Sequence, residues 1–338
     1  MSKQRGIILI ISYIVIILFL TLIGIFVFIS ISEKGASERK KELSVAFYLA
    51  EAGIDRALNE LRQDYKWGGL SSVSLGEGEY SVSVSSEGNR RIIVSSGFIP
   101  AEAKFRVKRR IEAVIERVIP PNFYDNAIYC SGEVDLNGNA YSVTGNVLYF
   151  DEIDNPTNIT GEVVQDTSIR PLSRLNFKQL YEMSKSQNNV YDEARLEAVQ
   201  RGIESFPASF WYIEPSDPED PTTGKPNIVY IETDLKLRGN IGAIGGFYIV
   251  AGDILTNPEN TYNATINGNG KINGCVYTKG EFEINGGAGG LNVFGGVWAG
   301  EEAELNGNAH IVYNQIYMEA IKALDLHTDF QIISWREL

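Results

Sequence analysis

The chain begins with a long run of apolar residues. Residues 7–32, IILIISYIVIILFLTLIGIFVFISIS, are 26 consecutive positions without a charge. As a helix they span about 39 Å at about 1.5 Å per residue, more than the ~30 Å hydrocarbon core of a bilayer. An ordinary cleaved signal peptide has a shorter apolar region. We therefore expect a membrane helix, and Lys3 and Arg5 before it predict a cytoplasmic N-terminus.

The helical pattern continues beyond the uncharged run. Within residues 33–64, apolar side chains recur at steps of three and four on an otherwise charged helix, namely at Leu43, Phe47, Ala50, Ile54, Ala57 and Leu61. This stripe predicts a packing face. One alternative is a simple membrane anchor that continues into a coiled-coil stalk.

The pattern then changes to alternating apolar and polar positions. Residues 78–99 and 103–119 predict short strands, with a turn at Glu87-Gly88-Asn89. The second segment fits neither the strand nor the helix period cleanly. The prolines at 120 and 121, in the IPP segment at 119–121, indicate a boundary, so we expect a small β-rich region over 65–121.

One phrase occurs three times in the remainder: GEVDLNGNA at 132–140, GEFEINGGA at 280–288 and GEEAELNGNA at 300–309. Related Asn-Gly segments at 266, 284 and 305 are 18 and 21 residues apart. A step of about 20 residues is typical of one solenoid coil. Because Asn-Gly also favours hairpins, a β-meander is the alternative.

We therefore predict an α+β chain of three structural parts. These are a helix over 7–64, the β-rich region, and a mainly β domain over 122–338, most simply a β-solenoid. A segment near 174–205 predicts a helical insert within that domain, residues 215–226 a proline-rich acidic loop, and the tail a short helix and a last strand.

The repeated phrase also brings acidic residues together. In each copy the acids alternate with apolar positions and should point outward, at Glu133, Asp135, Glu281, Glu283, Glu302 and Glu304. Calcium binds carboxylate and amide oxygens. However, no copy matches a known calcium repeat, which favours a solvated acidic face without metal.

The cysteines and histidines give little support for catalysis. Cys130 and Cys275 match no zinc spacing, and in an exported protein they form either a disulfide or two free buried thiols. The two histidines, His310 and His327, lie in no metal or triad motif. With no privileged carboxylate pair for glycoside cleavage, we expect a protein that is not an enzyme and has no cofactor.

Net charge restricts the partners. The chain carries a formal charge of -13, whereas nucleic acids attract basic surfaces. We therefore expect no nucleic-acid partner.

The N-terminal motifs resemble a known family. The tripeptide QRG precedes the apolar run, and AFYLAEAGIDRALNEL follows it at 46–61. This combination resembles the PilX-type pilus assembly proteins, minor members of the type IV pilin superfamily. The matching positions are Ala46, Ala50, Glu51, Ala52, Gly53, Ala57 and Leu61. The C-terminal ISWREL (333–338) is similar to longer members of that family.

The resemblance implies a processing site and a set of partners. Prepilin peptidase would remove a leader of residues 1–6 by cutting between Gly6 and Ile7, and Ile7 would become the methylated first residue. Ile11, Phe47, Glu51, Gly53 and Ile54 would lie on the filament-core helix. The partners would be other pilin subunits, inner-membrane pilus assembly proteins and the membrane. The chain would cross the cell membrane once before assembly and lie in a surface pilus afterwards.

One position departs from the family pattern. Most pilins have Glu at the fifth mature position, where this chain has Ile11 and no acid before Glu33. Because a buried carboxylate without a partner is costly, its absence suits a minor subunit near the filament tip, whose exported domain serves assembly priming or adhesion. The alternative is a permanently anchored surface β-solenoid that binds or degrades glycans.

Overall fold

The computed structural model describes residues 2–253 and 260–338, and the side chains of residues 2–12 and 15 lie outside this description. The four helices are α1 (Ser2–Gln63), α2 (Phe177–Ser186), α3 (Glu193–Gln200) and α4 (Gln315–Lys322). The strands are β1 (Gly69–Leu75), β2 (Gly78–Glu87), β3 (Arg90–Ile99), β4 (Val107–Arg117), β5 (Ile128–Cys130), β6 (Glu133–Asn137), β7 (Ser142–Thr144), β8 (Val147–Tyr149), β9 (Ile153–Asp154), β10 (Ile159–Thr160), β11 (Val163–Gln165), β12 (Val190–Tyr191), β13 (Trp211–Ile213), β14 (Lys225–Pro226), β15 (Ile228–Ile231), β16 (Leu235–Val250), β17 (Ala264–Thr278), β18 (Phe282–Ala299), β19 (Glu302–Tyr313) and β20 (Phe330–Glu337).

The chain divides into two compact units. The helix–sheet unit contains the N-terminal chain to Glu60, Trp67–Glu116 and Ile332–Leu338. The parallel-strand unit contains Leu61–Lys66 and Arg117–Gln331. A long apolar helix followed by mainly β structure agrees with the predicted α+β class.

In the helix–sheet unit, the C-terminal part of α1 packs on a five-stranded sheet in the order β1-β2-β3-β4-β20. The strand pairs β1–β2, β2–β3 and β3–β4 are antiparallel. Small and branched side chains on one stripe of the helix are buried, namely Ala46, Leu49, Ala50, Ile54 and Ala57. The period-two segments thus form adjacent strands whose inner face lies against this stripe.

The last strand corrects the predicted domain boundary. We expected the tail to belong to the domain over 122–338, but residues 332–338 lie in the helix–sheet unit. Two ion pairs of 2.7 Å connect this tail to β4, Arg109–Glu337 and Arg336–Glu112. Sequence pattern identifies a strand but not its distant partner, and pairing here closes a loop of more than two hundred residues.

The parallel-strand unit brings the repeated phrase into register. One apolar residue of the repeat occupies an equivalent position on each of four neighbouring strands: Ile266 on β17, Ile284 on β18, Leu305 on β19 and Leu136 on β6. All these pairs are parallel, so the hairpin alternative is wrong for these strands. The four apolar side chains are buried in one hydrophobic cluster, which explains why the copies repeat the same inward pattern.

In β17, β18 and β19 the Asn-Gly pairs do not end the strands, whereas β6 ends at Asn137. Pairing continues through Gly268 and Gly286, and the register shifts directly afterwards between β17 and β18. Gly268 has a φ of 133° and Gly307 a φ of 67°, which other residues rarely adopt. In these three long strands the pairs at 267–268, 285–286 and 306–307 therefore precede a bulge rather than form a hairpin turn.

The second halves of β16, β17 and β18 are buried on both faces. Val297 and Ala299 face the first cluster, whereas Trp298 between them faces a second cluster that includes Tyr129 and Phe247. Helices α2 and α4 contribute Leu180 and Met318 to that second cluster, among others. Burial on both faces replaces the alternating pattern with a nearly continuous apolar run.

Candidate membrane and assembly surface

The N-terminal part of α1 has an apolar surface that nothing in the described structure covers. From residue 16 to residue 32, every side chain is exposed, including Phe19, Phe26 and Phe28 at 59%, 69% and 75%. The helix is long and apolar enough to cross a membrane. An exposed apolar surface of this size is unfavourable in water, so this part of the helix needs lipid or protein around it.

The same helix changes character after residue 32. Residues 33–42 carry charges of both signs, including Glu33, Lys34 and Arg39, and they remain mostly exposed. The buried stripe begins at Ala46. One continuous helix thus combines an uncovered apolar half, a charged segment suited to an interface with water, and a half that packs on the sheet.

The predicted processing site lies at the start of this helix. Gly6, Ile7 and Ile11 fall within the α1 backbone, but their side chains lie outside the described part of the structure. Cleavage between Gly6 and Ile7 therefore stays a prediction.

Four further residues were expected on the filament-core helix, and the structure assigns them to packing within the chain. Gly53 and Ile54 are buried on the sheet side of the helix. Phe47 packs edge-to-face on Trp335 with ring centroids 6.1 Å apart, and Glu51 is half-buried. All four residues lie on α1, and the role of this helix in a filament core stays a prediction.

Two glycines explain how closely the helix approaches the sheet. A β-carbon on Gly97 of β3 would lie 2.0 Å from the Ala46 carbonyl oxygen. A β-carbon on Gly53 would lie 2.1 Å from Ser95 Oγ. At Gly97 the obstacle is helix backbone, so only glycine permits this contact, whereas at Gly53 a larger residue would require the side chains of Ser95, Tyr80 and Val82 to shift.

The two cysteines do not form the disulfide that we considered. Both are free and buried. Cys130 aligns with Ala299, which aligns with Thr278, three residues beyond Cys275. Two strand spacings give a separation of at least roughly 10 Å, beyond the ~7 Å limit between bridged α-carbons. Because side chains alternate between the two faces of a sheet, the offset of three residues also places the two thiols on opposite faces, Cys130 in the first cluster and Cys275 in the second.

Burial makes both thiols unreactive. It raises the pKa of Cys130 to about 12 and that of Cys275 further. A thiol reacts as its thiolate, so both remain protonated and inert at neutral pH.

The acidic calcium candidates form rows that run across neighbouring strands. One row pairs Glu302 with Glu133. A second row crosses three successive strands and contains Glu283, Glu304 and Asp135. Burial and then the neighbouring Glu133 raise the pKa of Glu302. Among the residues that the structure describes, no group of three or more acidic, His or Cys side chains could hold a metal ion. These carboxylates, Glu281 included, are spread along the sheet rather than convergent.

A ladder of asparagine amides lies beside these acids. Asn306 Nδ2 donates to Asn285 Oδ1 at 2.7 Å, and Asn285 Nδ2 donates to Asn267 Oδ1 at 2.6 Å. The amides also donate to acids on their own strands, Asn285 to Glu283 at 2.6 Å and Asn306 to Glu304 at 2.8 Å. The sequence suggested turns at these Asn-Gly pairs rather than a ladder. The signal for the ladder was that each copy of the repeat has asparagine at the same position, which parallel pairing aligns on neighbouring strands.

Neither histidine lies between a serine and a carboxylate, the order of a catalytic triad. His310 Nδ1 lies 2.7 Å from Ser142 Oγ and its Nε2 lies 2.8 Å from Asn308 Oδ1. His327 is buried, and its Nδ1 lies 3.0 Å from Ser173 Oγ, which donates to Asp329 at 2.9 Å. The serine therefore lies between the ring and the acid, unlike a catalytic triad, in which the histidine lies between them.

Comparison with known proteins gives weak similarities only. No family model and no curated protein matches the chain. The solved structures that it resembles include the competence-associated pilin ComZ from Thermus thermophilus, at 13% identity over 88% of this chain and 97% of that one, with a TM-score of 0.24. Another is an ice-binding protein from an Antarctic Flavobacteriaceae bacterium, at 14% identity over 58% of this chain and 49% of that one, with a TM-score of 0.21. At these scores neither similarity carries an argument.

Proposed function

We propose that this chain is a non-enzymatic minor subunit of a type IV pilus-like filament. The observation that carries the proposal is α1 itself, whose apolar first half is uncovered and whose second half packs on an antiparallel sheet. A helix of this kind is stable in lipid before assembly. It is equally suited to a filament core formed by copies of the same apolar surface.

The parallel-strand unit is the part that such a subunit would present outside the cell. We propose that its in-register strands form a β-solenoid, because each rung buries its apolar side chains only by stacking on its neighbours. Its role would be assembly priming or adhesion. The regular amide and carboxylate rows on its surface need no catalytic explanation.

The absence of an acid before Glu33 supports a position near the filament tip. In a subunit inside the filament, a carboxylate at Ile11 would pair with a neighbour's terminal amine. A subunit without a neighbour above it needs no such group, and burying an unpaired carboxylate there would be costly. The partners in this proposal are prepilin peptidase, inner-membrane assembly proteins and other pilin subunits.

The test is fractionation of cells that express the full chain with Gly6→Leu. We expect wild type in sheared filaments at low abundance, and the Gly6→Leu variant in membranes only, because its leader is not removed. Gln4→Ala changes a neighbouring leader residue and serves as the matched control, which should fractionate as wild type. If Gly6→Leu reaches the filament fraction normally, processing at Gly6 is not required for assembly. If wild type never leaves the membrane, the chain is instead a permanent surface anchor. Major-subunit abundance along filaments would contradict the tip position.

A further inference from the structure

One end of the parallel-strand stack is closed by the helical insert. The Ile228 N–H donates to Gln187 Oε1 at 2.7 Å, and the Tyr230 N–H donates to the Asn189 carbonyl oxygen at 3.0 Å. Helices α2 and α3 contribute the buried Leu180 and Leu196 to the core at this end. The backbone donors of β15 therefore have partners, and the insert acts as the cap that a stacked β structure requires.

In the part of the chain that the structure describes, the opposite end has no such cap. Its last rung contains β9, β10 and β11, and each pairs on one side only with β6, β7 or β8 among the described strands. From residue 151 to residue 168, no side chain is buried. Val163 and Val164 are 39% and 42% exposed although they are consecutive and project to opposite faces.

The hydrogen bonds of this rung show which backbone groups point outward. The Val147 N–H donates to the Glu162 carbonyl oxygen, and the Asp166 N–H donates to the Tyr149 carbonyl oxygen, each at 2.8 Å. In a parallel pair the bonded residues alternate along a strand. The N–H and C=O groups of Val163 and Gln165, between these bonds, therefore point away from β8 toward the open end. Such an edge is a template for another strand.

The charge of the open end restricts what can pair with it. Residues 151–168 contain five carboxylates and no Lys, Arg or His. Asp151 pairs with Arg170 at 3.3 Å, whereas Glu152, Asp154 and Glu162 are exposed. A second copy joined through the same end would place like charges opposite one another, which is destabilising. A segment rich in Lys or Arg would place opposite charges there.

We propose that the open edge formed by β9, β10 and β11 is a docking site for an extended, basic polypeptide segment of another protein. The segment would add a strand beside β11, with backbone hydrogen bonds to Val163 and Gln165 and its cationic side chains near Glu162 and Asp154. This is the strand-addition mode of peptide recognition. It does not rest on the proposed pilus function, because it follows from this end of the stack alone.

The test uses the full chain in zwitterionic detergent and a labelled peptide of alternating valine and lysine, with binding measured by fluorescence anisotropy. A peptide of alternating valine and glutamate is the comparator. We expect the lysine peptide to bind more tightly by about tenfold or more, and its affinity to fall with added salt because exposed charges are screened. Micelles without protein give the background.

Two sets of variants locate the site. Val163→Pro removes an outward N–H but no bond to β8 and should weaken binding by about tenfold or more, whereas Val163→Thr keeps the N–H and should bind as wild type. The pair Glu162→Gln and Asp154→Asn should weaken binding severalfold, because it removes two charges. The matched pair Glu214→Gln and Glu219→Gln, exposed and outside this rung, should not.

Each contrary outcome overturns the proposal in a distinct way. If wild type does not bind the lysine peptide, the edge is not a docking site for basic strands. If Val163→Pro binds as well as wild type, the peptide is held elsewhere. If sedimentation shows a dimer that Val163→Pro dissociates, the occupant is a second copy of this chain. None of these outcomes depends on whether Gly6 is processed, so failure here is distinct from failure of the pilus proposal.

Discussion

At the scale of single residues, glycine at two positions decides whether the helix and the sheet can meet. Gly97 lies against the backbone of α1 at Ala46 and Ala50, and Gly53 lies against Ser95. The sequence placed Gly53 in the family-like AEAG segment of a long helix. The structure adds what this glycine packs against, which a sequence pattern could not give because it does not identify the partner of a helix face.

The first prediction concerns Gly97. Gly97→Ala should lower the free energy of unfolding of the helix–sheet unit by about 1–3 kcal/mol, because the added methyl group forces the helix away from β3. Gly68→Ala is the control, since a β-carbon there meets nothing within 4 Å. Amide hydrogen exchange of β2 and β3 in the full chain measures the effect. Equal protection in the two variants would contradict the close approach.

His327 is a residue whose burial has a consequence for pH. Only 2% of it is exposed. Burial, followed by the positive charge of Arg117, lowers its pKa to about 4, and Asp325 opposes this shift. Tyr124 packs on the ring at 5.5 Å, and Asp329 lies behind Ser173. The folded chain therefore holds a neutral histidine whose ordinary pKa is about 6.5.

The second prediction follows from the sign of this shift. Between about pH 6.5 and pH 4 the unfolded chain binds a proton that the folded chain does not, so stability falls as pH falls through this window. His327→Gln should remove up to roughly 3 kcal/mol of that dependence, while keeping a group able to bond Ser173. Urea unfolding at several pH values measures it, with His310→Gln as the control. A wild type and a His327→Gln variant with parallel pH profiles would show that His327 is not held neutral.

At the scale of elements, the asparagine ladder explains how the acidic rows are tolerated. Aligned carboxylates on neighbouring strands repel one another. Asn285 donates to Glu283 on its own strand and to Asn267 on the next, and Asn306 donates in the same way to Glu304 and Asn285. The ladder therefore supplies donors where the acids supply only acceptors.

The third prediction tests this balance. Asn285→Asp should lower the free energy of unfolding of the parallel-strand unit by about 1–3 kcal/mol, because two donated hydrogen bonds disappear and a third carboxylate joins Glu283 and Glu304. The loss should shrink on acidification, when the new carboxyl group is protonated. Asn139→Asp, at an exposed position, is the matched control. If the two variants are equally stable at neutral pH, the ladder contributes nothing to stability.

The repeat period predicted these elements better than local turn chemistry did. Copies spaced by 18 and 21 residues predicted stacked strands with a shared inward face, and Ile266, Ile284 and Leu305 do align. Asn-Gly suggested turns, but the strands continue through Asn285-Gly286 and Asn306-Gly307. The difference arises because pairing with neighbours on both sides maintains the strand where an isolated Asn-Gly would reverse it.

At the scale of the whole molecule, both chain ends build one unit. Apart from Leu61–Lys66, the parallel-strand unit is inserted in sequence between β4 and β20, which are adjacent in the five-stranded sheet. The apolar helix, the strands over 78–99 and the short terminal helix follow from local periodicity. Local periodicity does not predict the position of β20 or the separation of the two cysteines, because both depend on which strands become neighbours across long stretches of chain.

The central claim is that α1 serves first as a membrane helix and then as a filament-core helix, and its most direct test is the N-terminal residue. We would recover the chain from membranes and from sheared filaments and determine its terminal peptide by mass spectrometry. The account predicts that the filament fraction begins at Ile7, with an N-methyl group, and lacks residues 1–6. A leader that is still attached in every fraction would contradict it and identify the chain as a permanently anchored surface protein.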